Sequence, residues 1–106
     1  MTREINVLPA ADSDIDECFY YYEERSGLET AFRFIDALRE SFERLLQMPH
    51  IGSPREFRLS RLRNIRMWTV KGFEDYLIFY CSTDDGITVL RVLHGRRDFE
   101  EIFSDE

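Results

Sequence analysis

The stretch from Ile87 to Phe103, ITVLRVLHGRRDFEEIF, concentrates the residues best suited to chemistry. Arg91, Arg96 and Arg97 carry fixed positive charge of the kind that clamps phosphates and carboxylates, and His94 is of a residue type that can serve as acid or base. Asp98, Glu100 and Glu101 follow at once. Such a corner fits three roles: a catalytic site, a docking surface for an anionic partner, or a helix start whose positive end attracts the acids.

A second cationic group lies upstream. Between residues 55 and 71 stand Arg55, Arg58, Arg61, Arg63, Arg66 and Lys71, against Glu56 alone. These side chains suit contact with DNA, RNA or an acidic peptide, and equally suit a solvated edge on which arginine stems cover apolar neighbours. Among the aromatics, Phe19, Tyr22, Phe73, Tyr76, Phe79 and Tyr80 follow core spacing, whereas Tyr20 and Tyr21 fall off the apolar stripe and are interface candidates. Cys18 and Cys81 form no CxxC, so two reduced thiols are expected, with neither metal nor cofactor.

The net charge of −7 is unevenly placed: −6 over residues 1–49, +4 over 50–97 and −5 over 98–106. A chain this acidic is not expected to bind nucleic acid strongly through its overall field. Its length fits one domain over 1–106 with a sizeable core. No apolar run is long enough for a bilayer, and MTREINVLPAADSD lacks the pattern of a signal peptide, so a cytoplasmic protein is expected.

The elements that must position these residues can be read from periodicity. REINVLP reads as a strand ended by Pro9. AADSDIDECFYYYEERSG reads as a helix capped by Asp12 or Ser13, with Ile15, Cys18, Phe19 and Tyr22 as its stripe. A second helix is predicted from about Leu28 to Met48, burying Leu28, Ala31, Phe32, Ile35, Leu38, Phe42, Leu45 and Leu46. The Ser26-Gly27 link makes the pair an antiparallel hairpin. A loop or irregular edge follows, then strands from Ile65, Tyr76 and Ile87 joined by short Gly/Asp links, and a helical turn over Asp98–Phe103.

The predicted class is α+β, in the order β-α-α-β-β-β, with the helix hairpin on one face of a mostly antiparallel, twisted sheet. Alternation along the last strand puts Arg91 and His94 on opposite faces, with Leu90 and Val92 under the helices. The other face would keep Ile87, Val89 and Leu93 bare. A bare apolar face of that kind calls for a partner.

The helix hairpin, the MPHIGSP turn, LRNIRMWTV, YLIFYCS and above all ITVLRVLHGRRDF resemble the ParE branch of the RelE/ParE toxin superfamily, over about Ile5 to Phe103. The resemblance implies the toxin of a bacterial type II toxin–antitoxin (plasmid stabilisation) pair, neutralised by a ParD-like antitoxin. ParE-like members are associated with inhibition of DNA gyrase, whereas RelE-like members cleave mRNA on the ribosome. Cleavage needs a base, cations for the developing charge and an acid for the leaving oxygen. Arg97 matches the nuclease branch's arginine after the last strand. Where that branch has a tyrosine six residues on, this chain has Phe103, and Lys71 is its only lysine.

The expectation is therefore a gyrase-binding toxin with no catalytic set. Its partner contacts are sought at Arg58, Arg61, Arg63, Arg66, Arg91, Arg96, Arg97, Tyr20 and Tyr21. A RelE-like ribosome-dependent endoribonuclease would instead draw on Arg63, Arg91, His94 and Arg97. A third possibility is a non-toxic homologue that only binds a partner.

Overall fold

The computed structural model describes residues 3–58 and 60–104. The chain runs β1 (Glu4–Val7), α1 (Pro9–Ser26), α2 (Leu28–Gln47), β2 (Ser53–Arg55), β3 (Ile65–Val70), β4 (Phe73–Thr83), β5 (Gly86–His94) and α3 (Phe99–Phe103). One five-stranded sheet has the order β1-β5-β4-β3-β2. Strand β1 lies parallel to β5 and every other pair is antiparallel. The α+β class, the hairpin on one face and the short terminal helix are as the sequence indicates. No helix among the described residues is long and apolar enough to cross a membrane.

Pro9 opens α1 instead of closing β1. It occupies the first turn, where its missing N–H costs nothing and its fixed φ suits a helix. The predicted caps, Asp12 and Ser13, therefore lie inside the helix. Gly27, at φ 92°, ends α1 and begins α2 in one residue. That backbone region is open chiefly to glycine, so the sharp reversal of the hairpin is written at this position. Pro54 sits in β2, a three-residue edge strand where a missing donor is tolerated.

The largest departure from expectation is in β5. Phe79 pairs with Arg91 and Tyr80 with Val89, leaving Leu90 as an extra residue. Such a bulge reverses the facing of every side chain beyond it. Ile87, Val89 and Val92 thus pack beneath the hairpin with Ala11, Cys18, Phe34, Leu38, Leu45, Ile78 and Tyr80. Leu90 and Leu93 turn to the opposite face and join Phe57, Ile65, Phe79 and Phe103. The first core holds the helices on the sheet; the second holds α3 and the preceding loop.

That second core overturns the expectation of a bare face. Phe103 and Phe79 are fully buried there, and Phe57 is 4% exposed. Phe103 stacks on Phe57 with ring centroids 4.5 Å apart and planes 12° apart. Glu100 accepts a hydrogen bond from the Arg58 backbone N–H at 2.9 Å, tying α3 to the loop. The predicted burial of Leu28 and Phe32 also fails, for they are 49% and 53% exposed. The buried line of α2 runs through Ala31, Phe34, Leu38, Phe42 and Leu45, about one position round the helix from Phe32.

Candidate functional site

Beyond Val89, β5 has no strand on its β1 side, because β1 ends at Val7. The first two turns of α1 cover that edge. The Asp14 carboxylate accepts from the Val92 backbone N–H at 3.0 Å and from Arg91 through Nε at 2.7 Å and Nη2 at 2.8 Å. Asp14 is 7% exposed. Arg91 is thus held at the sheet edge by a two-pronged ion pair, and its role is to fasten α1 to β5.

Arg97 lies where two clefts meet. One, of about 350 Å³, is lined by Arg91, Arg97, Asp98, Glu101 and Ile102. The other, of about 180 Å³, is lined by Glu17, Cys18, Tyr21, Tyr76, His94 and Arg97, among others. His94 and Arg97 therefore share a cleft. The His94 ring sits edge-on to Tyr76 at 5.3 Å, its Nδ1 accepts from the Arg96 backbone N–H at 3.1 Å, and its carbonyl accepts from the Arg97 N–H. Asp98 caps α3 by accepting from the Glu101 N–H at 3.2 Å, as the acids of the corner suggested.

The other candidates divide. Arg58 and Arg63 line a cleft of about 230 Å³ with Arg55, Glu56, Phe57, Leu62 and Asn64. Arg63 is exposed, with Nη1 bonded to the Ser60 carbonyl at 2.8 Å, while Arg55 lies over the Phe57 and Phe99 rings. Arg61 and Arg96 are exposed. Arg66 stands apart: its Nη1 bonds the carbonyls of His50 and Gly52 at 3.1 and 2.7 Å, clamping the MPHIGSP turn. Tyr80 braces the same turn, donating to Pro49 and accepting from Gly52. Gly52 lies so close to Tyr80 and the Met67 carbonyl that a Cβ would not fit. Tyr21 lines the His94 cleft beneath Arg25, whereas Tyr20 points out from the hairpin.

Burial pushes the Cys18 thiol up to about 12, and the Asp14 and Glu17 carboxylates add to the rise. The thiol stays neutral and unreactive at physiological pH. In the unfolded chain it ionises near 9.0. Its contribution to stability is therefore complete below that pH and is lost as pH rises from 9 towards 12. Burial raises Tyr22, Tyr76 and Tyr80 as well, with the same sign. Urea midpoints are expected to fall above about pH 9, and Cys18→Ala should make the fall shallower without abolishing it. An equally steep fall in that variant would remove Cys18 from the account.

Comparison with known proteins gives one family. Residues 5–99 match the model of the ParE toxin of type II toxin–antitoxin system, parDE. Among solved structures, a chain of the chromosomal ParDE TA system from P. aeruginosa superposes with a TM-score of 0.70 at 19% identity, covering 88% of this chain and 96% of that one. At that identity the likeness establishes the fold. No curated protein matches the sequence.

Proposed function

The chain belongs to the ParE toxin family of type II toxin–antitoxin systems, and on that premise we propose that it inhibits DNA gyrase in the cytoplasm by stoichiometric binding and is neutralised by a ParD-like antitoxin. The observation that carries this reading is the place of Phe103. The position where a nuclease of the superfamily would be expected to present a proton donor holds a ring that is fully buried against Phe57 and Phe79. What remains exposed is a set of guanidinium groups, at Arg58, Arg61, Arg63, Arg96 and Arg97, suited to anchoring acidic side chains. Tyr21 adds an aromatic contact beside Arg97. Arg66 and Arg91, bonded within the fold, serve as partner contacts only through their outer edges.

One observation favours the ribonuclease reading: His94 and Arg97 line one cleft with Tyr21 and Tyr76. A single set of measurements separates the two. After induced expression, DNA synthesis is expected to stop before protein synthesis, and the purified protein should inhibit gyrase supercoiling. Arg96→Ala and Arg97→Ala should each weaken that inhibition about tenfold, the equivalent of ~1.4 kcal/mol. Cleavage of ribosome-bound mRNA that disappears in His94→Ala or Arg97→Ala would establish the nuclease instead. Arrest of neither process would leave a partner-binding homologue.

A further inference from the structure

Between the end of β5 at His94 and the start of α3 at Phe99 the chain turns through Gly95, Arg96, Arg97 and Asp98. Arg96 and Arg97 are exposed there, and among the described residues neither guanidinium is held by a hydrogen bond or an ion pair. The backbone of the corner therefore sets their direction. Three consecutive N–H groups fix that backbone. Gly95 donates to the Asp75 carbonyl at 2.8 Å, Arg97 donates to the His94 carbonyl at 3.1 Å, and between them Arg96 donates to Nδ1 of the His94 ring at 3.1 Å. His94 thus supplies two of the three acceptors.

The middle bond is of a particular kind. Nδ1 is reached from Cα through Cβ and Cγ, by the same path that leads to Oδ1 in asparagine. A bond from the N–H two residues on to such an atom is the imidazole form of an Asx turn, the side-chain device that holds a chain reversal. It needs a lone pair on Nδ1, so the proton of the ring lies on Nε2. The ring is itself held in place: it is half-buried and stands edge-on, at 5.3 Å, to Tyr76, the residue paired with His94 across the sheet.

We infer that His94 is a positioning residue: through Nδ1 it keeps the Arg96–Arg97 corner in the shape that meets the target, and it makes no contact with the target itself. An exposed turn whose middle N–H is left to water samples several shapes, and binding must give all but one of them up. Fixing the turn beforehand removes that entropic cost. The inference rests on the reading of Arg96 and Arg97 as gyrase contacts and deepens it. It also gives the histidine a role opposite to the one a ribonuclease would need, since here the ring accepts a backbone N–H and transfers no proton.

Two substitutions separate the acceptor from the ring. His94→Phe keeps a ring beside Tyr76 and removes the acceptor, whereas His94→Asn keeps the acceptor and removes the ring. With the fold checked by circular dichroism, His94→Phe should weaken inhibition of gyrase supercoiling about tenfold, and His94→Asn should stay within about threefold of the parent. In a chain already carrying Arg96→Ala and Arg97→Ala, His94→Phe should add nothing, because the histidine acts through those two residues. Solvent exchange of the Arg96 amide, followed by NMR, reads the turn without any target: it should quicken about tenfold in His94→Phe and stay parent-like in His94→Asn. Should the phenylalanine variant unfold, His94→Leu, which also lacks an acceptor, takes its place. A greater loss in His94→Asn than in His94→Phe would assign the effect to ring packing and overturn the inference. Equal losses in both, or a further loss in the chain without the two arginines, would make His94 a direct contact or a proton carrier and overturn it as well. A parent chain without effect on gyrase removes the target reading alone; the Arg96 amide then decides, and exchange unchanged in His94→Phe overturns the positioning role.

Discussion

Replacing Asp14 with alanine is expected to destabilise the protein by about 3–5 kcal/mol, the range for breaking a buried ion pair from one side. The change leaves the half-buried Arg91 guanidinium without its two-pronged partner. It also removes the acceptor of the Val92 N–H, at the sheet edge where no strand supplies another. The orphaned Val92 N–H carries its own desolvation cost, and Arg91 loses a charge-assisted pair. For a domain of this size the expected fall in Tm is on the order of 20 °C. Urea denaturation followed by circular dichroism measures it directly. The double change Asp14→Leu with Arg91→Met removes both charges and should recover a large part of the loss. A loss below about 1 kcal/mol in Asp14→Ala would show that α1 is held to β5 by apolar packing alone.

This pair bears on function as well as stability. An arginine committed to Asp14 has little freedom to reorganise around a phosphate, so Arg91→Ala should reduce activity chiefly by lowering the folded population. Arg97, exposed and between two clefts, should do the reverse and lose activity at full stability. Measuring both quantities for both variants separates the fastening arginine from the contacting one.

Element order was legible in the sequence because each element has its own period and its own punctuation: the helix hairpin around Gly27, the strands divided by Lys71-Gly72 and Asp84-Asp85. The faces of β5 were not, because strict alternation has no means of announcing one extra residue. Leu90 is an ordinary strand residue in composition, and only the step from the Tyr80–Val89 pair to the Phe79–Arg91 pair, which passes over Leu90, reveals the bulge. The error therefore falls on Ile87, Val89 and Leu90, whereas Val92 and Leu93 lie on the faces that alternation gave them, and the face expected to be bare is covered by Phe57 and Phe103. Asp14 did leave a trace: it stands in line with Ala11 and Cys18 on the buried side of α1, a charged residue in an apolar stripe, which signals a buried partner. Arg66 left none, since a clamp on carbonyls 14 and 16 residues away depends on how the turn folds back.

Phe103→Ala should cost about 3–5 kcal/mol, as for other fully buried phenylalanines. The cavity would open between Phe57 and Phe79, the two rings that hold Phe103 against the sheet. Phe103→Leu keeps most of the volume and should cost under about 1.5 kcal/mol. Phe103→Tyr restores the nuclease-branch residue, yet would place a hydroxyl in an apolar core; it should lose about 1–3 kcal/mol and gain no RNA cleavage. Hydrogen exchange distinguishes local from global damage. In Phe103→Ala the amides of Arg58 and Ile102, tied to Glu100 and Asp98, should lose protection first, while those of α1 and α2 remain protected. Uniform loss across the chain would mean that the two cores fold as one unit. Stability within about 1 kcal/mol of the parent would mean that α3 lies on the sheet without sealing it, and the second face would again be a surface in need of a partner.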